Sequence, residues 1–162
     1  MYNFKLETYL KIIFLISAFS LISAYFIEFI LGHQPCNLCL IERIPYGLTI
    51  TLIIYNYFLN NHSKFIILLL ILVFAFSFIV SFYHFGIEQG FFEESYVCKV
   101  NNSNEIISKD ELLRQLQEKV VSCRDVTFRI LGLSLTTFNI IISAILFILL
   151  TTIFKNYEKF KK

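Results

Sequence analysis

The sequence predicts an all-α membrane protein: a four-transmembrane-helix bundle with one long outer loop that carries a short amphipathic helix. Three observations predict it. Of 162 residues, 57% are hydrophobic and 16% charged, a more apolar and less charged make-up than soluble domains have; mean hydropathy is +0.69. The apolar residues gather in four runs of about 20 residues, the length a helix needs to cross about 30 Å of hydrocarbon. None of the runs alternates with period 2, so the other backbone-satisfying solution in lipid, a closed barrel, has no support. The net charge is only +2, with no basic stripe and no glycine-rich phosphate loop, which argues against nucleic-acid and nucleotide partners.

The first span runs over about 12–31, with Lys5 and Lys11 before it. It is too long for the apolar core of a signal peptide, and no small-residue cleavage site follows, so it reads as a retained helix. Glu28 falls late in this span, either as an interfacial group or as a polar partner inside the bundle. A short turn containing Pro35 leads to the second span, about 40–59, and the tight connection NNHSK leads to the third, about 65–85. The long loop, about 86–130, precedes the fourth span, about 131–154. The whole chain, 1–162, reads as one membrane domain.

An even number of spans puts both termini on one side. The 14 Lys and Arg residues divide evenly between the two faces. Those on the terminal face (Lys5, Lys11, Lys64, Lys155, Lys159, Lys161, Lys162) sit in short tails and one tight loop. Short segments weigh most in setting orientation, so the termini are expected inside and the long loop outside. In that loop Ser108 and Glu111 have capping-box spacing, and Leu112, Leu113, Leu116 and Val120 recur at helical spacing. This is the amphipathic helix, lying on the membrane surface or packed within the loop. The aromatic run after Gly90, Phe91 and Phe92, suits the membrane interface.

All four cysteines then fall on the outer face: Cys36 and Cys39 after the first span, Cys98 and Cys123 in the long loop. An even number of cysteines in an oxidising compartment suits disulfides. The stretch PCNLCLIER holds the densest chemistry. Pro35 suits the first position of a helix, which puts Cys36 in the first turn and Cys39 one turn on, near the positive end of the helix dipole. That setting lowers a thiol pKa. Arg43 lies four residues past Cys39, on the same helical face. A permanent charge at the bilayer edge calls for a partner, such as a thiolate or a reducible ligand, unless it snorkels to the surface. Cys98 and Cys123 read either as a disulfide that ties the loop or as one end of an exchange relay. His84, ending the third span, is either a packed histidine or a group that delivers a proton. No metal site is expected, because Cys98 and Cys123 do not make a second C-x-x-C.

Three runs, GHQPCNLCLIERIPYG, YHFGIEQGFFEESYVC and VSCRDVTFRILGLSLTTFN, resemble the disulfide bond formation protein B (DsbB) family over nearly the whole chain. The resemblance implies a thiol:quinone oxidoreductase in the bacterial inner membrane, with cytoplasmic termini and periplasmic cysteine pairs. It implies ubiquinone or menaquinone as electron acceptor and a DsbA-like thioredoxin-fold periplasmic protein as partner. By position, Cys98 forms the mixed disulfide with the partner, Cys123 exchanges with Cys36, and Cys39 faces the quinone. Arg43 stabilises that thiolate and the quinone, and His84 lies near the quinone. In the vitamin K epoxide reductase-like family the loop cysteines precede the C-x-x-C; here they follow it.

Overall fold

The structure, a computed structural model, describes residues 3–58, 64–94, 98, 122–124, 128–130 and 132–157. Among these described residues are four long helices: α1 (Asn3–Phe29), α2 (Asn37–Phe58), α3 (Lys64–Glu88) and α4 (Leu135–Lys155). All four are long and apolar enough to cross a membrane, and α1 packs on α2, α2 on α3, and α3 on α4. The loop cysteines lie between α3 and α4. The amphipathic helix expected near 108–120 falls outside the described residues.

The helix ends differ from the expected spans for local reasons. α1 begins well before residue 12, because Glu7 and Lys11 pair at 2.8 Å along one helix face. It stops short of 31 where Gly32 takes φ +73°, and the His33 N–H reaches back to the Ile27 carbonyl. α3 runs three residues past 85 and closes on Gly90, at φ +77°. There the Gly90 N–H bonds the Ile87 carbonyl at 3.0 Å and the Phe91 N–H bonds the Gly86 carbonyl at 2.8 Å, the paired bonds of a Schellman ending. Phe92 folds back to stack on Tyr83 at 5.6 Å, while Phe91 stays exposed. α4 starts four residues later than expected. The chain first makes a two-stranded antiparallel turn, β1 (Arg129–Ile130) with β2 (Leu133–Ser134), about Gly132 at φ +82°. Ser134 then caps α4, its hydroxyl accepting the Thr137 N–H.

Bulky side chains such as Phe19, Phe29, Ile79 and Ile148 point outward, as a lipid-facing surface requires. The centre divides in two. At the end bearing the termini, Leu10, Ile13, Ile53, Leu70, Phe74 and Leu150 form an apolar core. At the other end the buried positions turn polar. On α3 these are Ser77, Ser81 and His84, on α2 Glu42 and Thr49, and on α4 Thr136 and Ser143. Spaced three or four apart on α3 and seven apart on α2 and α4, they make stripes that face one another. Burying such groups is tolerable only where they find hydrogen-bond partners, and these do, Thr49 at the Pro45 carbonyl and the others largely among themselves. Ser77 and Ser143, for example, share a hydrogen bond at 2.9 Å.

Candidate active site

The polar end of the bundle is organised around Cys36. Its carbonyl accepts the Leu40 N–H at 3.2 Å, and its sulfur accepts the Cys39 N–H at 3.3 Å. Cys36 is therefore the N-cap of α2, with sulfur in the place where serine or aspartate ordinarily sits. Pro35 lies one residue outside the helix rather than in its first position, because the cap is occupied by Cys36. The two sulfurs are 2.8 Å apart, both as free thiols. The thiol hydrogen bond from Cys39 is the largest influence on Cys36 and pulls it down to about 4. Burial pushes the other way, and the hydrogen bond and charge of His84 add to the lowering. The reduced pair thus carries its negative charge on Cys36, at the positive end of α2.

His84 connects this thiol to the interior. Its Nε2 lies 3.5 Å from the Cys36 sulfur, and its Nδ1 lies 2.8 Å from Glu42 Oε1 and 3.3 Å from the Thr136 hydroxyl. Between an anionic sulfur and a carboxylate, both ring nitrogens are placed to donate. The second Glu42 oxygen accepts from Asn139 Nδ2 at 2.9 Å. Asn139 also donates to Ser81 at 2.7 Å and accepts the Tyr46 hydroxyl. A second carboxylate, Glu88, lies 3.8 Å from His84 Nε2. It accepts hydroxyl bonds from Thr136 and Ser134, each at 2.6 Å. Sequence reasoning did not single out Glu42 or Glu88. For Glu88 the available signal was spacing: Ser77, Ser81, His84 and Glu88 recur at 4, 3 and 4 on an otherwise apolar helix.

Arg43 has an answer to its charge that the sequence left open. It forms an ion pair with Glu28 of α1, and its guanidinium lies over the Tyr25 ring, 5.0 Å from the centroid. Glu28 is thus a bundle partner. No contact between Arg43 and a thiol occurs among the described residues, although both line the same cavity.

Cys98 and Cys123 are joined as a disulfide. Both are almost fully buried and pack with Cys36, Leu38 and Ile87 in one apolar cluster. The fold therefore brings together all four cysteines and His84, with Arg43 close by. The donor atoms of Cys36, Cys39 and His84 lie within 4.8 Å of one another, a proximity the cysteine spacing alone did not suggest.

Beside these groups lies a cavity of about 320 Å³. Its walls come from α1 and α4, with α2 behind. Ser20, Ser23 and Ala24 leave room on α1, and Phe138 and Ile142 line α4. Cys36, Cys39, Cys123, Arg43 and His84 all reach its surface. Pockets of this volume that are mainly apolar, with a few convergent polar groups, are the kind that hold small organic ligands.

No solved structure matches the chain. The chain is 28% identical over 137 residues to the uncharacterized protein RP370 of Rickettsia prowazekii (strain Madrid E), covering 83% of this chain and 80% of that one. The family model for disulfide bond formation protein DsbB matches residues 7–153, a stretch that takes in both cysteine pairs, His84, Arg43 and all but the outermost turns of the bundle. The protein is a multi-pass membrane protein of the DsbB family, whose members form disulfides by oxidising thiols.

Proposed function

We propose that this protein is an inner-membrane thiol:quinone oxidoreductase that reoxidises a DsbA-like periplasmic dithiol and passes the electrons to ubiquinone or menaquinone. The observation that carries the reading is the cavity: one apolar space between α1 and α4 touches Cys36, Cys39, Cys123, Arg43 and His84 together. The fit is chemical as well as steric. Aromatic and aliphatic walls suit a quinone ring and the start of its tail, and Arg43 and His84 offer donors to ring oxygens that gain charge on reduction. A quinone bound there would supply a two-electron acceptor that membrane respiration keeps oxidised, which a disulfide needs in order to oxidise a strong oxidant.

In this reading the termini are cytoplasmic and the chain acts as a single membrane domain. Cys98 takes the partner's thiol and Cys123 passes the exchange to Cys36. Cys36 serves well as a leaving group, since a thiol of low pKa departs readily as thiolate. While Cys36 is held in a mixed disulfide with Cys123, Cys39 is the remaining free thiol on the cavity wall. Arg43, held by Glu28, keeps positive charge there.

The test uses the full chain with all thiols reduced in micelles. Quinone analogue is added and free thiols are trapped by alkylation. Quinone-dependent loss of free thiols is expected in wild type and is abolished in Cys36→Ser/Cys39→Ser. Oxidation of that variant at the wild-type rate would sink the mechanism. Arg43→Ala is expected to raise the apparent quinone KM by more than it lowers the thermal midpoint; an unchanged KM counts against its role.

A further inference from the structure

We propose that Glu88 is the proton-transfer residue of this site, linking the Cys36–His84 pair to the aqueous edge of the membrane. Its part in turnover rests on the thiol:quinone reading above; its coupling to the thiol does not.

Forming the Cys36–Cys39 disulfide breaks two S–H bonds and makes one S–S bond. Two electrons pass to a quinone, the oxidant, whose oxygens take up two protons from their surroundings; the two thiol protons leave the sulfurs, and electrons and protons are restored when a substrate dithiol reduces the pair. Protons must therefore move among side chains that are largely buried. The first move is set by geometry: the Cys36 S–H gives its proton to His84 Nε2, 3.5 Å away, leaving thiolate and imidazolium. Two carboxylates can take the next share of that charge, and their surroundings separate their roles. Glu42 holds Nδ1, and its other oxygen is tied through Asn139 to Ser81 and Tyr46. That branch ends in amide and hydroxyl groups, of which Asn139 and Tyr46 border the cavity rather than the aqueous end of α3, so Glu42 positions the ring.

Glu88 lies on the other branch. Its Oε1 is 3.8 Å from Nε2, the nitrogen that meets the thiol. A small side-chain rotation, or one bridging water, brings that gap to transfer distance. The N–H bond then breaks at Nε2, an O–H bond forms at Glu88, and the proton leaves to water from the last turn of α3. Gln89 and Gly90, which follow directly, are exposed. The reverse sequence reloads Cys36 when the pair is reduced. Glu88 is itself 6% exposed, a costly place for a carboxylate at a membrane edge. The hydroxyls of Ser134 and Thr136 tie it to α4. A purely structural clasp between α3 and α4 would largely survive a neutral glutamine, whose oxygen accepts one of the two hydroxyl bonds while its amide nitrogen donates to the other hydroxyl.

The groups that face His84 are Cys36, Cys39 and Glu42 from the α2 side, Glu88 on its own helix and Thr136 from α4. Arg43 is occupied by Glu28. The experiment compares wild type, Glu88→Gln, Glu88→Asp and Ser134→Ala, each as the full chain in micelles. The first measurement needs no quinone: the rate of Cys36 alkylation against pH in the reduced protein, read peptide by peptide. Glu88→Gln is expected to raise the midpoint by about one unit, through loss of a charge beside the imidazolium that supports the thiolate. Glu88→Asp should recover part of the shift, which also covers the case in which the glutamine variant does not fold. Ser134→Ala, which loosens the clasp but keeps the carboxylate, should stay at the wild-type midpoint. A wild-type profile in both Glu88 variants overturns the proposal, because a group that exchanges protons with His84 must feel its charge.

The second measurement is turnover with a dithiol and a quinone analogue. Glu88→Gln should lower kcat by about a hundredfold or more, the lower end of what a lost proton-transfer group costs. It should leave the quinone KM within about twofold and enlarge the solvent isotope effect. A shifted alkylation profile with unchanged kcat removes the transfer role. If wild type itself reduces no quinone, the thiol:quinone reading fails, while the alkylation profiles still decide whether Glu88 is coupled to Cys36.

Discussion

At the scale of single residues, Cys36 does two jobs with one sulfur: it caps a helix and holds the charge of a dithiol. The capping bond and the Cys39 thiol both stabilise the anion, so its reactivity should persist into acid. Alkylation of Cys36 in the reduced protein is expected to stay fast from neutral pH down to about 5 and to fall as pH passes through about 4. Cys39→Ala removes the largest lowering influence, so the midpoint should move up toward the ordinary thiol range. The sign for stability follows. The folded value lies below the ordinary 9.0, so any stabilisation is complete above that value and is lost as pH falls through about 4. Arg43 and Glu28 offer a second residue-scale test. Their side chains keep 15% and 22% of their surface open. Neutralising either alone strands the other, at a cost of roughly 1–3 kcal/mol, less than for a fully buried pair. The double variant Glu28→Gln/Arg43→Gln should melt closer to wild type than either single one, and thermal midpoints in micelles check this. Additive losses would mean that the pair is not coupled.

At the scale of elements, the end of α3 shows how closely backbone and side chain are fitted. A methyl group added at Gly86 would lie 2.1 Å from the Phe92 ring, where no heavy atom can sit. Gly86→Ala must therefore displace Phe92 from its stacking on Tyr83, at about 1–3 kcal/mol. Gly86→Ala/Phe92→Ala removes the clash, so the alanine at 86 should cost much less in that background. An equal cost in both backgrounds would place the strain elsewhere. The element scale also shows what the sequence could convey. Runs of apolar residues gave four helices in the right order, because length and hydropathy alone decide whether a helix crosses lipid. The start of α1 was misjudged by nine residues and the other ends by one to four. Hydropathy does not register a cysteine taking the cap of α2 or the β1–β2 turn that delays α4, since both depend on hydrogen bonds made in the folded chain.

At the scale of the whole molecule, the cysteines, Arg43 and His84 were legible because their residue types are rare in apolar surroundings and their spacing fits helix faces. Glu42, Glu88 and Asn139 were not. Each belongs to a different helix, and only the packing of α2, α3 and α4 turns three weak polar stripes into one network. The same packing buries the Cys98–Cys123 disulfide, which is 1% and 2% exposed. Exchange requires in-line approach of a thiolate to sulfur, so small thiols in solution should react slowly with this bond while the native structure persists. Reduction of Cys98–Cys123 by glutathione, followed by mass shift, is expected to be at least about tenfold slower in native micelles than after unfolding in urea; equal rates would show the burial to be without kinetic effect. In the proposed relay the fold thus insulates its own circuit: the loop disulfide is screened from stray reductants, and electrons would enter only when a partner opens the way to it.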